Sequence, residues 1–62
     1  MPSNDIITAL IAAQDHGFDA DISAEDGFIR TGVDGFYRFH DDWPAAVDDL
    51  TKRVAAAVEA RQ

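Results

Sequence analysis

The residues best able to do chemistry in this 62-residue chain are its carboxylates, which number twelve against five lysines and arginines. Asp19, Asp21 and Ser23 place oxygen-bearing side chains at alternate positions, as at the start of a calcium-binding loop of the EF-hand kind. The match then fails, because the sixth position is Ala24 instead of glycine and the twelfth is Arg30 instead of a bidentate glutamate. We therefore expect no metal site and interpret this run as the solvated face of a strand.

The two histidines, His16 and His40, are the side chains that titrate near neutral pH when unperturbed. His40 precedes Asp41 and Asp42, and an acid beside a histidine can orient a catalytic base. However, neighbouring residues of a strand point to opposite faces, and no serine or cysteine is placed to complete a nucleophilic set. His16 fits the end of a helix, where a cation is favoured by the dipole. We expect no enzymatic activity and no cofactor.

The charge of the chain is strongly negative and unevenly distributed. The formal net charge is −7, and ten of the twelve acids are aspartates. Residues 15–49 hold ten acids against Arg30 and Arg38, which gives −8, so the remaining residues sum to +1. Such a segment repels nucleic-acid phosphates and anionic lipid headgroups and attracts basic surfaces. We therefore expect a protein partner, with no direct binding to nucleic acid or to a membrane.

The size of the chain allows a single domain over residues 1–62. A domain this small usually needs disulfides, a metal or a partner subunit for stability, and the absence of cysteine removes the disulfides. Self-association as a homodimer is therefore one expectation. The sequence has neither a long apolar run nor a basic leader, so we also expect an intracellular protein.

Apolar spacing predicts a helix at each end of the chain. The first helix covers residues 4 to about 16, with Ser3 as N-cap and Gly17 as the left-handed stop. The last helix opens at Trp43 with Pro44 in its first turn, and Asp42 or Trp43 is its cap. In this helix, Asp48 precedes Lys52 and Asp49 precedes Arg53 by four residues, and we expect both pairs to lie on the exposed face.

Between the helices the apolar period changes to two, which predicts three short antiparallel strands joined by turns at Gly27 and Gly35. The first strand follows Phe18, the second starts at Phe28 and the third at Phe36. The favoured register turns Ile29, Tyr37 and Phe39 toward the helices. In this register, the residues that point to the other face are Phe28, Arg30, Phe36, Arg38 and His40. A shift of one residue in either hairpin would reverse these assignments.

These elements predict an α+β fold of order αβββα. A three-stranded antiparallel meander forms one layer, and the N- and C-terminal helices cover one of its faces. The predicted core is Ile7, Leu10, Ile11, Phe18, Ile22, Ile29, Phe39, Trp43, Val47, Leu50 and Val54. The opposite sheet face stays open for a partner or a second copy of the chain.

Two functional hypotheses remain, besides a reading in which the acidity serves only solubility or salt adaptation. In the first, carboxylates form a row that occupies a groove evolved for phosphates. The residues carrying this contact are Asp19, Asp21, Glu25, Asp26, Asp34, Asp41 and Asp42. In the second, the chain is a small dimeric accessory or regulatory module that binds through the open sheet face, with Phe28, Phe36 and Arg38 in the contact.

In its size, acidity, lack of cysteine and lack of a catalytic motif, the chain resembles the small phage-encoded inhibitors of bacterial defence, the anti-CRISPR and DNA-mimic proteins. That resemblance implies a stoichiometric inhibitor in the cytoplasm of a bacterial host. Such an inhibitor would dock its acidic surface on the basic nucleic-acid channel of a CRISPR-type complex. These families have many folds, so the resemblance assigns no residue roles.

Overall fold

A computed structural model describes residues 4–62, which form a helix, three strands and a second helix. The elements are α1 (Asn4–Asp15), β1 (Ala20–Glu25), β2 (Phe28–Val33), β3 (Phe36–His40) and α2 (Trp43–Ala60). The sheet is an antiparallel meander of order β1-β2-β3, and α1 and α2 pack together on one face of it. The predicted αβββα fold is confirmed. The proposed N-cap Ser3 lies outside the described residues.

The end of α1 and the start of α2 have the predicted capping residues. After α1, Gly17 takes a φ of 80° and the Phe18 amide donates to the Ala13 carbonyl at 3.0 Å, which satisfies a carbonyl of the last turn. Phe18 is thereby buried under the helix. At the start of α2, an Asp42 carboxylate oxygen accepts from the Ala45 amide at 2.9 Å. Asp42 is therefore the N-cap of α2.

The first hairpin has the predicted faces. Its loop is Asp26 and Gly27, so that Glu25 is paired with Phe28 and Ile22 with Thr31. Ala20, Ile22 and Ala24 of β1 therefore lie on the helix-covered face, next to Ile29 and Thr31 of β2, which are both buried. The other face carries the acids of β1.

The second hairpin differs from the favoured register by one residue. Asp34 and Gly35 have φ values of 54° and 87°, so they close a two-residue turn and pair Val33 with Phe36. The expectation that Tyr37 and Phe39 point inward assumed a three-residue loop and was wrong. Since one step of register exchanges the faces, the helix-covered side instead receives Phe36, Arg38 and His40.

The core is also smaller and richer in alanine than predicted. Of the predicted core, Phe18, Ile29, Leu50 and Val54 are buried, whereas Leu10, Ile22 and Val47 are partly buried. Four members were wrong, because the structure exposes Ile7, Ile11, Phe39 and Trp43. Their places are taken by Ile6, Ala9, Ala13, Val33 and Ala46. The small side chains of Ala9, Ala13 and Ala46 let α1 and α2 approach each other and the sheet closely.

Candidate functional site

The seven acids proposed for partner contact fall into two groups at opposite ends of the sheet. Asp19, Asp21 and Asp34 lie where β1 begins and β2 ends, and the backbones of Asp19 and Asp34 are joined by a 2.7 Å hydrogen bond. Glu25, Asp26, Asp41 and Asp42 lie at the other end. Asp21 and Glu25, the nearest members of the two groups, are four residues apart on β1, which is roughly 13 Å. The acids therefore do not form one continuous row.

In the first group, arginines of the same chain neutralise two of the three carboxylates. Asp21 pairs with Arg30 at 3.5 Å, and Asp34 pairs with Arg61 at 3.2 Å. In addition, the Arg30 guanidinium lies over the Tyr37 ring, with 4.8 Å between its central carbon and the ring centroid. These intramolecular contacts reduce the charge that this end offers to a partner.

The second group, which we name the carboxylate end, consists of Glu25, Asp26, Asp41 and Asp42. Among residues 4–62, none of these four carboxylates forms an ion pair with a lysine, arginine or histidine. Three of them line one shallow depression, together with Phe28 and Trp43. These three are Glu25, Asp41 and Asp42. The carboxylate end thus places uncompensated negative charge beside aromatic surface.

The uncovered side of the sheet carries an aromatic surface, which we name the aromatic face and define as Phe28, Tyr37 and Phe39. The rings of Phe28 and Phe39 meet edge to face with centroids 5.2 Å apart. Phe39 is 62% exposed and Tyr37 is 55% exposed. Tyr37 and Phe39 were not predicted on this face, because the favoured register turned both toward the helices.

The alternative contact residues are not all on this face. Phe28 is on it, as predicted, but Phe36 and Arg38 belong to the other side of β3. Phe36 is 74% exposed, at the margin of the helix-covered side. Arg38 points to α2 and pairs with Asp49 at 3.1 Å. The predicted patch of Phe28 and Phe36 is therefore wrong, because the two-residue turn separates them.

A polar cluster between the sheet and α2 contains Asp49, whose side chain is 11% exposed. The Thr31 hydroxyl donates to Asp49 at 2.8 Å, and Arg53 donates to the same carboxylate oxygen at 3.1 Å. Arg38 donates to the other oxygen at 3.1 Å. His40 Nε2 lies 3.1 Å from an Asp49 carboxylate oxygen, but the angle between the two groups does not allow a hydrogen bond. His40 therefore makes only a close polar contact with Asp49.

This cluster changes the acidity of Asp49. Burial alone would raise the pKa of Asp49, but the hydrogen bonds from Thr31 and Arg53, the contact with His40 and the charge of Arg53 outweigh it. The pKa falls from 3.8 to about 2. Asp49 thus remains ionised and ties β2 and β3 to α2, so its role is structural. The predicted four-residue spacing to Arg53 is confirmed, although the pair lies at the sheet and not on an exposed face.

Within residues 4–62, no set of three or more histidines, cysteines, aspartates or glutamates is arranged to hold a metal ion. Neither α1 nor α2 is long and apolar enough to cross a membrane. The chain matches no protein-family model, no curated protein and no solved structure.

Proposed function

We propose that this chain is a non-enzymatic acidic binding protein that covers a basic, nucleic-acid-binding surface of another protein. By its chemistry it is a DNA mimic, and we place it among inhibitors of CRISPR-type defence complexes in the bacterial cytoplasm. The observation that carries the proposal is the carboxylate end, where four acids remain without an intramolecular cation in the described part of the chain.

The electrostatics of the two sheet ends support this assignment. Asp21 and Asp34 are held by arginines of the same chain, so their charge is partly compensated. Glu25, Asp26 and Asp41 have no such partner within residues 4–62. A basic groove that binds phosphates gains most from carboxylates whose charge is not already neutralised. The carboxylate end is therefore the part of the surface that would enter the groove.

Inhibition by occlusion requires no reaction, since the bound acid only has to prevent the approach of the nucleic acid. The excess negative charge would also accelerate encounter with a basic partner, and added salt would weaken this attraction. Phe28 and Trp43, which border the carboxylates, would add apolar contact once the surfaces meet. This combination predicts an association that is salt-sensitive and partly apolar.

The test is displacement of proteins from DNA. DNA-cellulose is loaded with lysate of a bacterium that carries CRISPR systems, the protein is added, and mass spectrometry identifies the released proteins. We expect release of a defined set that includes CRISPR complex subunits. A variant of the carboxylate end, Glu25→Gln, Asp26→Asn, Asp41→Asn and Asp42→Asn, should release none of them. Asparagine at position 42 can still cap α2.

A matched control separates placed charge from total charge. The variant Asp5→Asn, Asp15→Asn, Asp19→Asn and Glu59→Gln removes the same number of charges at other positions. It should release the same set of proteins as the parent. If the two quadruple variants act alike, or if the parent releases nothing, the proposal of mimicry by the carboxylate end is wrong.

A second candidate function is a dimeric regulatory module, and the exposed aromatic face favours it. Analytical ultracentrifugation at low and high salt distinguishes it from the first. An apolar dimer would persist in high salt and dissociate on Phe39→Asp, whereas Phe36→Asp, on the other side of β3, would leave it intact. On the first proposal the protein is a monomer at both salt concentrations.

A further inference from the structure

We infer that the aromatic face binds an arginine side chain of the partner. The guanidinium group would lie against the rings of Phe28 and Phe39 and pair with the carboxylate of Glu25. The inference rests on the proposed function and specifies which basic residue the partner offers. At two places the protein holds an arginine of its own between an aromatic ring and a carboxylate.

The first such place is on the open side of the sheet. Asp21, Gly32 and Tyr37 lie side by side on β1, β2 and β3. A Cβ atom at Gly32 would collide with the Asp21 carboxylate and approach the Tyr37 ring to 2.8 Å, so glycine allows both groups to lean over β2. The Arg30 guanidinium lies over that ring and pairs with that carboxylate. The result is a guanidinium held by an aromatic ring and an acid.

The second place repeats the arrangement with different elements. Arg61, after α2, lies over the Phe18 ring with 4.7 Å between the guanidinium carbon and the ring centroid. Its terminal nitrogen is 3.2 Å from the Asp34 carboxylate. Stacking on a ring and pairing with a carboxylate are the two interactions that the planar guanidinium group makes best. The fold therefore uses the combination twice.

At the carboxylate end of the aromatic face, the same two groups are present without a cation. Glu25 is directly opposite Phe28 in the β1–β2 ladder, and the Phe28 ring contacts Phe39. The Ser23 hydroxyl donates to Glu25 at 2.9 Å, which fixes this carboxylate on the open side of β1, and Glu25 and Phe28 line the same depression. In residues 4–62 no lysine, arginine or histidine pairs with Glu25. An external guanidinium would complete the arrangement seen twice within the chain.

A second copy of this chain is a poor occupant of the face. Its four arginines, residues 30, 38, 53 and 61, already pair with aspartates of their own chain. Two copies would also bring together net charges of −7 each. The face therefore suits a basic partner, and the rings favour arginine over the compact, strongly hydrated ammonium group of lysine.

The test compares an oligo-arginine peptide with an oligo-lysine peptide of equal length and charge. Titration calorimetry at fixed salt should give an affinity about tenfold higher for oligo-arginine. The double variant Phe28→Leu/Phe39→Leu should bind both peptides with the affinity that the parent has for oligo-lysine. Phe36→Leu, which removes an exposed ring on the other side of β3, should keep the full preference.

A measurement on the unmodified protein guards against misfolding of the double variant. In NMR titrations of the parent, oligo-arginine should shift the ring signals of Phe28 and Phe39, and oligo-lysine should shift them much less. Equal affinities for the two peptides, unshifted ring signals, or a dimer that buries this face would overturn the inference. If the DNA-cellulose assay succeeds while the preference is absent, only the arginine site is wrong. If neither peptide binds, the proposed function fails as well.

Discussion

At the scale of single residues, the twelve acids have different roles that the composition does not reveal. Asp42 caps α2, and Asp49 joins the sheet to α2. Asp21 pairs with an arginine, whereas Asp26 and Asp41 have no ion-pair partner within residues 4–62. Only carboxylates of the last kind are free to meet a partner without first losing an internal contact. The aspartate excess is thus partly structural and partly available for binding.

The structural role of Asp49 predicts a pH-dependent loss of stability in Asp49→Asn. Because the pKa of Asp49 is lower in the folded protein than the unfolded value near 3.8, its contribution is present above that pH and disappears as the pH falls through about 2. Urea unfolding at pH 7 should show a loss on the order of 2 kcal/mol. The difference between parent and variant should shrink as the pH approaches 2.

The control for this prediction is Asp48→Asn, one residue earlier in α2. Asp48 pairs with Lys52 at 3.0 Å, but both side chains are largely exposed. Removing such a pair should change the free energy of unfolding by less than about 1 kcal/mol. If Asp49→Asn costs no more than Asp48→Asn at pH 7, the polar cluster does not hold β2 and β3 to α2 as described.

At the scale of elements, the helices and the first hairpin were predictable because local signals determine them. Gly17 and Asp42 mark helix ends by their own chemistry, and Asp26-Gly27 closes the first hairpin. The register of the second hairpin was missed by one residue, although Asp34-Gly35 is also typical of a two-residue turn, because the predicted loop included Val33. This difference of one residue in register places Tyr37 and Phe39 on the open face and Phe36 on the helix-covered side.

The orientation of α1 was also beyond the sequence pattern. Isoleucine, leucine and alanine occur on most sides of this helix, so their spacing does not select a buried face. The observed face, centred on Ile6, Ala9 and Ala13, depends on close packing against α2 and the sheet. The inward position of Asp49 had one indirect signal, since Thr31 lies on the buried face of β2 and a buried hydroxyl needs a partner.

The two-residue turn of the second hairpin gives a prediction at this scale. Gly35 has a φ of 87°, in a region that side chains with a Cβ atom adopt at a cost. Gly35→Ala should therefore reduce the free energy of unfolding by about 1–2 kcal/mol. Urea unfolding monitored by the fluorescence of Trp43 measures this change. An unaltered unfolding midpoint would contradict the assigned turn and, with it, the placement of Tyr37 and Phe39.

At the scale of the whole molecule, one layer of helices leaves the second face of the sheet uncovered, and the seven acids proposed for partner contact divide between its two ends. At one end, arginines of the protein pair with two of the three acids, whereas within residues 4–62 no cation pairs with the four acids of the other end. The uncompensated end adjoins the exposed rings of the aromatic face. The surface is thus polarised, with one side of the molecule suited to a basic partner.

The most direct test of this polarity is the affinity of the two charge-matched quadruple variants for a partner isolated by DNA displacement. The variant of the carboxylate end should bind at least about tenfold more weakly than the parent, a loss of about 1.4 kcal/mol. The variant with the same charge removed elsewhere should bind within a factor of about three. Equal losses in both variants would mean that total charge governs binding and would contradict the account.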